Sequence, residues 1–396
     1  MPKLSEAAGR LEGQKMFQIL AKTQEMERQG KKIIHFEIGD PDFDTPKNIA
    51  DACYYALKKG DTHYTNSMGL LDFRVAAAEV TERSRGFKPD IGQLLVTAGA
   101  NVQIYYALKC AVNPGDEVIT PDPAFVSYVS IMNMLNIKPV KVPLREENEF
   151  RINPDDIEKS VTEKTRMIII NSPNNPTGSV MTEDEMKRVY EIAEKNDLYL
   201  LSDEVYARMI YADTKTKFCS PSRYDHCNER TIVVNGFSKS YAMTGWRLGV
   251  VTGPSELIAK MGLVLETTSS CVSPFIQRAG IEALTGSQEP IFEMVNEFRK
   301  RRDVIVSGLN TLPDVRCVKP KGAFYAFPNI RSTGMTSQQF TDLMLEEAGV
   351  AVAPGTIFGE NGEGYVRLCY ANSLENIGMG IERMRYALKN SNSNGG

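Results

Sequence analysis

Short apolar runs alternate with amphipathic stretches between residues 94 and 266. The runs are rich in β-branched and aliphatic side chains, which is the pattern of strands buried on both faces of a sheet. They are Leu94–Ala98, Glu117–Pro121, Lys138–Val142, Arg166–Asn171, Tyr199–Asp203, Thr231–Val234 and Leu248–Thr252. Helical spacing between most of these runs predicts an α/β domain with a mainly parallel, seven-stranded sheet flanked by helices.

The rest of the chain has a different pattern. Residues Lys15–Gln29 have helical spacing, and Gln288–Leu312 reads as one long, charged helix. Beyond it, shorter strand-like runs alternate with helices, the strands being Val315–Val318, Ala323–Phe327, Val350–Ala353 and Tyr365–Cys369. We therefore predict a large α/β domain at residues 48–287 and a small α+β domain built from residues 1–47 and 288–396.

Composition excludes several classes of protein. The chain has 396 residues, 42% of them hydrophobic and 24% charged, with a formal net charge of -4, as in ordinary globular proteins. No basic run indicates a nucleic-acid or membrane-surface partner, and no apolar run reaches the length of a membrane span. The N-terminus lacks the apolar core of a secretory signal, so we expect a cytoplasmic location.

Cysteine and histidine usage narrows the chemistry further. The seven cysteines are scattered without a CxxC pair, which is typical of reduced thiols. The three histidines, His35, His63 and His226, lack the spacing of metal ligands, so no metal is predicted. With so few histidines, a Ser-His-Asp hydrolase would also have few candidates for its general base. No GxGxxG or Walker-type loop follows the first strands, which argues against a nucleotide-dependent enzyme.

A lysine and an arginine lie between two of the predicted buried strands. The segment reads TIVVNGFSKSYAMTGWRLGVVT from Thr231 to Thr252 and carries Lys239 and Arg247. Basic groups between buried strands are costly unless an anionic or electrophilic group lies beside them. A lysine held there can lose its proton and act as a nucleophilic amine, although a surface lysine on a loop is the alternative interpretation.

Polar residues follow other predicted strands. Asp203 closes its strand, at the edge where open α/β sheets bind ligands, although an aspartate here also suits a helix N-cap. Asn175 lies in the turn-like sequence SPNNPTG. Gly99, Ala100 and Asn101 pass from a strand into a helix, whose free N–H groups bind phosphate, while close packing alone also favours glycine there.

These segments together resemble the class I and II aminotransferases, and within them the aspartate and aromatic aminotransferases. The Lys239 motif is GFSK followed by GWRLG, and the other motifs occur in the family's order from Gly39 to Arg367. The resemblance implies a fold type I enzyme that uses pyridoxal 5'-phosphate (PLP). Lys239 would form the internal aldimine, and Arg247, Ser238 and residues 99–101 would bind the cofactor phosphate.

The resemblance also implies a role for each remaining candidate. Asp203 would pair with the pyridine nitrogen, while Tyr206 and Asn175 would donate to the phenolic oxygen. Phe125 would stack on the ring, at a position where aspartate-specific members usually carry tryptophan. The substrate carboxylate would bind the side chain of Arg367 and the backbone of Gly39. Tyr64 would reach the partner's cofactor phosphate across a homodimer interface, so the active sites would be shared.

One position departs from the family pattern. Gly236 stands where the family often has a serine three residues before the lysine, so Ser238 would supply the hydroxyl for the phosphate or the contact would be missing.

The implied reaction is a ping-pong transfer of the amino group of an L-amino acid to a 2-oxo acid, with 2-oxoglutarate expected as acceptor, in amino acid metabolism. A PLP-dependent lyase, racemase or decarboxylase remains the alternative, because the same residues would serve any carbanion at Cα. The substrate side chain stays open among aspartate, glutamate, alanine, aromatic and diaminopimelate-like amino acids.

Overall fold

A computed structural model describes residues 2–11, 13 and 15–393. The strands are β1 (Ile34–His35), β2 (Leu94–Thr97), β3 (Glu117–Asp122), β4 (Lys138–Pro143), β5 (Thr165–Asn171), β6 (Tyr199–Asp203), β7 (Thr231–Gly236), β8 (Gly249–Thr252), β9 (Tyr325–Ala326), β10 (Val350–Ala351), β11 (Ala353–Pro354) and β12 (Val366–Cys369). The helices are α1 (Glu6–Gly9), α2 (Lys15–Arg28), α3 (Lys47–Lys58), α4 (Leu71–Arg85), α5 (Ala100–Ala111), α6 (Ser127–Leu135), α7 (Pro154–Ser160), α8 (Glu183–Lys195), α9 (Ser222–Asp225), α10 (Ser255–Ser269), α11 (Pro274–Thr285), α12 (Glu289–Leu309), α13 (Ser337–Glu346) and α14 (Leu374–Ser393).

The predicted seven-stranded sheet is present, in the order β2-β8-β7-β6-β5-β3-β4. The pairs from β7 through β4 are parallel, whereas β8 runs antiparallel to both of its neighbours, β7 and β2. The mainly parallel sheet is therefore confirmed. The sequence did not predict the antiparallel direction of β8, because a strand buried on both faces has the same apolar pattern in either direction.

Helices bury the sheet on both faces. On one face α5 and α10 contribute Ile104, Tyr106, Ile258 and Met261 to a core with the inner residues of β2 and β8. On the other face α8 contributes Met186 and Val189, which pack with Ile168 of β5. α8 begins with a capping box, in which Thr182 and Glu185 satisfy each other's backbone N–H groups. These packed layers hold the strand ends in fixed positions.

Two smaller sheets lie outside the central one. β1 pairs in parallel with β10, and β12 pairs antiparallel with both β11 and β9. The helices α12, α13 and α14 pack against these strands around Phe298, Phe340 and Met384. The predicted strand at Val315–Val318 was wrong, since only a single bridge between Arg316 and Asn329 forms there. The division of the chain into two domains at residues 48–287 stays a prediction.

The carboxyl ends of β5, β6 and β7 meet at one edge of the central sheet. Asn171, Asp203 and Gly236 end these three strands, and the chain from the smaller sheets crosses the same edge. In open α/β sheets this edge is where ligands bind. Over the described residues, the chain has no helix that combines the length and the apolar character needed to cross a bilayer.

Candidate active site

A cavity of about 200 Å³ lies at this edge. It gathers most of the residues singled out from the sequence, which come from both the central and the smaller sheets. The predicted residues that line it are Gly39, Ala100, Asn101, Phe125, Asn175, Asp203, Tyr206, Ser238, Lys239, Arg247 and Arg367. Gly99 lies directly behind Arg247, and Tyr64 alone of the predicted set lies away from the cavity, 87% exposed.

Lys239 lies at the base of the cavity, in the connection between β7 and β8. Its Nζ donates a hydrogen bond to the carbonyl oxygen of Gly39 at 2.6 Å, and the ring of Phe324 lies 5.9 Å away. Burial lowers the pKa of the Lys239 ammonium to about 8. A useful fraction of this amine is therefore neutral near physiological pH, as nucleophilic attack on a carbonyl requires.

Asp203 is buried at the end of β6. Its carboxylate accepts hydrogen bonds from Tyr128 Oη at 2.6 Å and from the backbone N–H of Val205 at 3.3 Å. Burial raises the pKa of the Asp203 carboxyl to about 6, and within the described residues no basic side chain forms an ion pair with it. A buried carboxylate without a protein cation suits a cationic ligand, such as a protonated ring nitrogen.

Two asparagines join the neighbouring strand ends. Asn171 donates through Nδ2 to the carbonyl oxygen of Asp203 at 3.0 Å, and its Oδ1 accepts from the backbone N–H of Asn175 at 2.9 Å. Asn175 in turn accepts a hydrogen bond from Arg367 at 3.2 Å. The turn at Asn175 is thereby fixed to the strand that carries Asp203.

Tyr206 and Tyr325 face each other across the cavity, with their hydroxyl oxygens 2.7 Å apart. Tyr206 lies just beyond β6 and Tyr325 lies in β9, so the pair joins the central sheet to a smaller one. Burial raises the pKa of both phenols, so each keeps its proton and can donate a hydrogen bond.

The predicted phosphate cup forms where β2 enters α5. Gly99 has a φ of +87°, a conformation that favours glycine, and a Cβ at this position would lie 2.4 Å from Arg247 Nη2 and displace the guanidinium. Arg247 donates to the carbonyl oxygen of Thr244 at 2.8 Å and to Ser238 Oγ at 3.5 Å. Among the described residues no carboxylate pairs with this guanidinium, and the N-terminus of α5 adds free N–H groups.

The neighbouring tryptophan fixes the same connection. Trp246 donates from its indole nitrogen to Thr45 Oγ1 at 2.9 Å, and Thr45 in turn donates to the carbonyl oxygen of Ala242. The connection that carries Lys239 and Arg247 is thereby tied to the N-terminal loop that carries Gly39.

Arg367 is fully buried in β12, between two aromatic rings. Its guanidinium carbon lies 4.7 Å from the ring centre of Tyr325 and 4.8 Å from that of Phe358, and it donates to the carbonyl oxygen of Glu37. This arrangement holds the planar fork in one orientation, as recognition of a carboxylate requires.

Glu37 itself belongs to an acid–base pair in which the carboxylate is buried and the imidazole is partly exposed. Its carboxylate contacts His35 Nδ1 at 2.8 Å, and the other ring nitrogen of His35 lies 3.1 Å from Glu27. These hydrogen bonds raise the pKa of His35 to about 9, so the imidazole is charged at neutral pH and balances the buried carboxylate. The pair steadies the segment whose carbonyl oxygen receives Arg367.

Phe125 lies in the loop before α6. Its ring packs edge-to-face on Tyr128 at 5.7 Å, and the preceding residue, Ala124, bonds to the carbonyl oxygen of Phe358 at 2.8 Å. The ring is thus held over the cavity, between the residues that position Asp203 and Arg367.

Sequence reasoning missed three residues that hold the predicted site residues in place. Tyr128 and Asn171 hold Asp203, and Tyr325 contacts both Tyr206 and Arg367. Asn171 ends a strand and had the same local signal as Asp203. The two tyrosines carry no such signal, because aromatic residues in a helix and in a short strand are read first as core.

Comparison with known proteins identifies the family. A model for class I and II aminotransferases matches residues 31–384. The chain belongs to this family. Its match to the aspartate aminotransferase of Pyrococcus horikoshii is 44% identical over 363 residues and covers 90% of this chain and 91% of the relative. The aminotransferase is also 44% identical to aromatic-amino-acid aminotransferase 2 of Thermococcus litoralis, over 90% of this chain and 92% of that one.

Solved structures of aminotransferases have the same fold as this chain. A crystal structure of an aromatic aminotransferase from Pyrococcus horikoshii superposes with a TM-score of 0.88 at 43% identity, and covers 93% of this aminotransferase and 99% of that chain. The predicted family, its fold and the transfer of an amino group between amino and oxo acids are confirmed. Because relatives are named for both aspartate and aromatic substrates, the choice of substrate stays open.

Proposed function

We propose that this aminotransferase binds PLP in the 200 Å³ cavity, with Lys239 as its covalent anchor. The observation that carries the proposal is the buried Asp203 carboxylate, which has no basic partner within the described residues and shares one cavity with a lysine of lowered pKa. When bound, PLP supplies an electron sink for the negative charge that develops at the substrate's Cα.

Different residues around the cavity contact different parts of the cofactor ring. Asp203 keeps a proton on the ring nitrogen, and Tyr128 orients that carboxylate through its 2.6 Å hydrogen bond. Tyr206 and the amide nitrogen of Asn175 donate to the phenolic oxygen. Phe125 covers one face of the ring.

The phosphate group takes the other end of the cavity. Arg247 and Ser238 bind it together with the first N–H groups of α5, at residues Gly99, Ala100 and Asn101. The bare Cα of Gly99 lets the arginine approach the helix N-terminus.

Substrate binding and proton transfer use the opposite wall. Arg367 binds the α-carboxylate as a bidentate fork, with the backbone of Gly39 beside it. With PLP bound, Lys239 Nζ would act as the general base that accepts the proton from the substrate's Cα and as the acid that later gives it back. Its lowered pKa places the amine near the pH at which both transfers are efficient.

We further propose two properties that the family suggests. The reaction proceeds as two half-reactions of a ping-pong cycle, with 2-oxoglutarate as the amino-group acceptor and an aspartate-like or aromatic L-amino acid as donor. The enzyme is a homodimer in which Tyr64 reaches the phosphate of the partner's cofactor, and its 87% exposure in the single chain supports this. Its cytoplasmic location remains a prediction.

The first experiment separates the two half-reactions. PLP-loaded enzyme receives single amino acids without any oxo acid, and the visible absorption of the bound cofactor is followed. We expect the band to convert to the pyridoxamine form with stoichiometric release of the matching oxo acid. Lys239→Ala should remove both the native band and turnover, while Lys187→Ala, at an exposed position on α8, should retain them. Release of ammonia, carbon dioxide or the inverted amino acid would contradict transamination.

A subunit-mixing experiment tests the shared site. Lys239→Ala chains and Tyr64→Ala chains are each expected to have low activity. Mixed dimers would contain one site with an intact Lys239 and the partner's intact Tyr64, so mixing should restore activity. Two inactive parents that stay inactive after mixing, with mixed dimers demonstrated, would contradict a role for Tyr64 across the interface.

A further inference from the structure

A second cavity, of about 340 Å³, adjoins the one that contains Lys239. Its walls come from α4, from the segment after β6, from the connection between β7 and β8, and from the end of α11 with the turn before α12. Gly236 lines both cavities, and no other lining residue is common to them. The second cavity is therefore separate from the cofactor and substrate contacts described above.

The second cavity carries an excess of positive charge. Arg83, Arg85 and Arg208 line it, and no aspartate or glutamate is among its lining residues. Arg85 is paired with Glu204, but within the described residues neither Arg83 nor Arg208 forms an ion pair with a carboxylate. Arg208 donates instead to the neutral amide oxygen of Gln288 at 2.6 Å. A concave site with uncompensated arginines attracts anions.

A buried hydroxyl group without a partner lies in the same wall. Tyr241 is 4% exposed, and its Oη has no hydrogen-bond partner among the described residues. Burial raises the pKa of this phenol, so the hydroxyl keeps its proton and remains a donor. The Arg208 guanidinium lies over the ring of Tyr241, 5.3 Å from the ring centre. Buried donors in folded proteins are nearly always satisfied, so this hydroxyl can donate to an acceptor that a bound molecule brings within reach.

The remaining lining is apolar. Val80, Phe218, Phe237 and Leu284 contribute aliphatic and aromatic surface beside the arginines. The cavity volume falls in the range of sites that hold small organic molecules. The cavity is thus lined by cationic arginine side chains and by apolar side chains.

We propose that this second cavity binds a small organic anion, in which a carboxylate or phosphate group is attached to an apolar or aromatic body. Arg208 and Tyr241 receive the anionic group, with Arg83 at the mouth of the cavity, and the body packs on Phe218 and Leu284. The proposal goes beyond the transfer of amino groups, since the site is formed without Arg367 or Lys239.

Calorimetric titration of the PLP-loaded enzyme tests the site. Phenyl phosphate and phenylacetate are the two anionic probes, and they distinguish phosphate from carboxylate recognition; benzyl alcohol is the neutral control. We expect one bound molecule per chain for at least one anion, weaker binding at high salt, and no comparable binding of the alcohol. Arg208→Gln and Tyr241→Phe should each weaken binding by about tenfold or more, as expected for hydrogen bonds to a charged group.

Matched variants decide where the probe binds. Arg223→Gln, at an exposed arginine paired with Glu183, should leave binding unchanged, and Arg208→Lys should recover part of it. Loss of binding in Arg367→Gln, with binding retained in Arg208→Gln, would place the anion in the substrate site and overturn the proposal. Failure of both probes to bind at millimolar concentration would overturn it as well. Should Arg208→Gln not fold, Arg83→Gln, at the exposed end of α4, takes its place.

Discussion

Asp203 and Glu204 are consecutive residues, both are buried, and their surroundings are opposite. Glu204 is 1% exposed and accepts hydrogen bonds from Arg85 Nε at 3.0 Å and from the hydroxyl of Ser202 at 3.0 Å. Asp203 is 3% exposed and has only neutral donors, Tyr128 and a backbone N–H group. Asp203 ends β6 and lines the ligand cavity, whereas Glu204 directly follows the strand and its carboxylate faces Arg85 of α4.

This difference separates a structural charge from a functional one. The protein itself neutralises Glu204, so that charge is already balanced in the folded chain. The protein leaves Asp203 to be neutralised by what it binds, and burial without a cation raises the pKa of that carboxyl to about 6. The unpaired Asp203 carboxylate therefore lowers the stability of the folded protein, and the same carboxylate favours the binding of a cationic ring. Each prediction below tests one side of this contrast.

The largest expected effect is on catalysis. Asp203→Asn should lower kcat/KM by at least about 10³-fold, which corresponds to ~4 kcal/mol, because an amide cannot hold a proton on the ring nitrogen. Steady-state kinetics with saturating PLP measure the effect. A decrease of less than about tenfold would show that the carboxylate is not needed for the electron sink.

Glu204→Gln should act on stability instead. The substitution leaves the Arg85 guanidinium buried without its carboxylate, which should lower the free energy of unfolding by ~3 kcal/mol. Urea denaturation measures the loss, and kcat/KM of the folded enzyme should change by less than about tenfold. As a control, Glu183→Gln removes an exposed partner of Arg223 and should cost less than ~1 kcal/mol. Equal losses from the two substitutions would remove the contrast between buried and exposed pairs.

The third prediction concerns pH in protein freed of PLP. Since folding raises the pKa of Asp203 from its usual value near 4 to about 6, the folded state is favoured while the carboxyl is protonated, and this contribution is lost as pH rises through 6. Asp203→Asn should therefore stabilise the protein by ~2 kcal/mol at pH 8 and have little effect at pH 4. Thermal unfolding of both proteins across this pH range gives the answer, and a pH-independent difference would contradict it.

The smallest effect is expected at another buried carboxylate, Glu37. Its partner His35 has a pKa raised to about 9, so the stabilisation is complete below the unfolded value near 6.5 and disappears as pH rises through 9. His35→Gln should cost ~1 kcal/mol at pH 6, after allowance for the partial exposure of the imidazole, and almost nothing at pH 10. Chemical denaturation at the two pH values tests the sign, and a larger loss at pH 10 would reverse it.

Local sequence predicted one part of the site and not the other. Lys239, Asp203, Asn175 and Gly99 follow strands directly, and parallel strands bring their carboxyl ends to one edge, so their meeting could be foreseen. Tyr128 contacts Asp203, and Tyr325 contacts Tyr206, only through the packing of α6 and β9, which no local pattern encodes.

The same limit applied to the fold. Apolar runs located all seven strands of the central sheet, but the antiparallel direction of β8 depends on how the connection through Lys239 reverses the chain. The charge balance of Glu204 was also beyond local reasoning, since its arginine lies 119 positions earlier in the sequence.

The chain contains a single tryptophan, and that residue is Trp246. Its indole joins the connection that carries Lys239 and Arg247 to Thr45 in the N-terminal loop. All tryptophan fluorescence of the protein therefore comes from this one indole, which forms the hydrogen bond to Thr45 and lies next to the arginine proposed to hold the cofactor phosphate. The emission of this one residue can report, without any added label, on motion of the N-terminal loop against the lysine-bearing connection during a turnover.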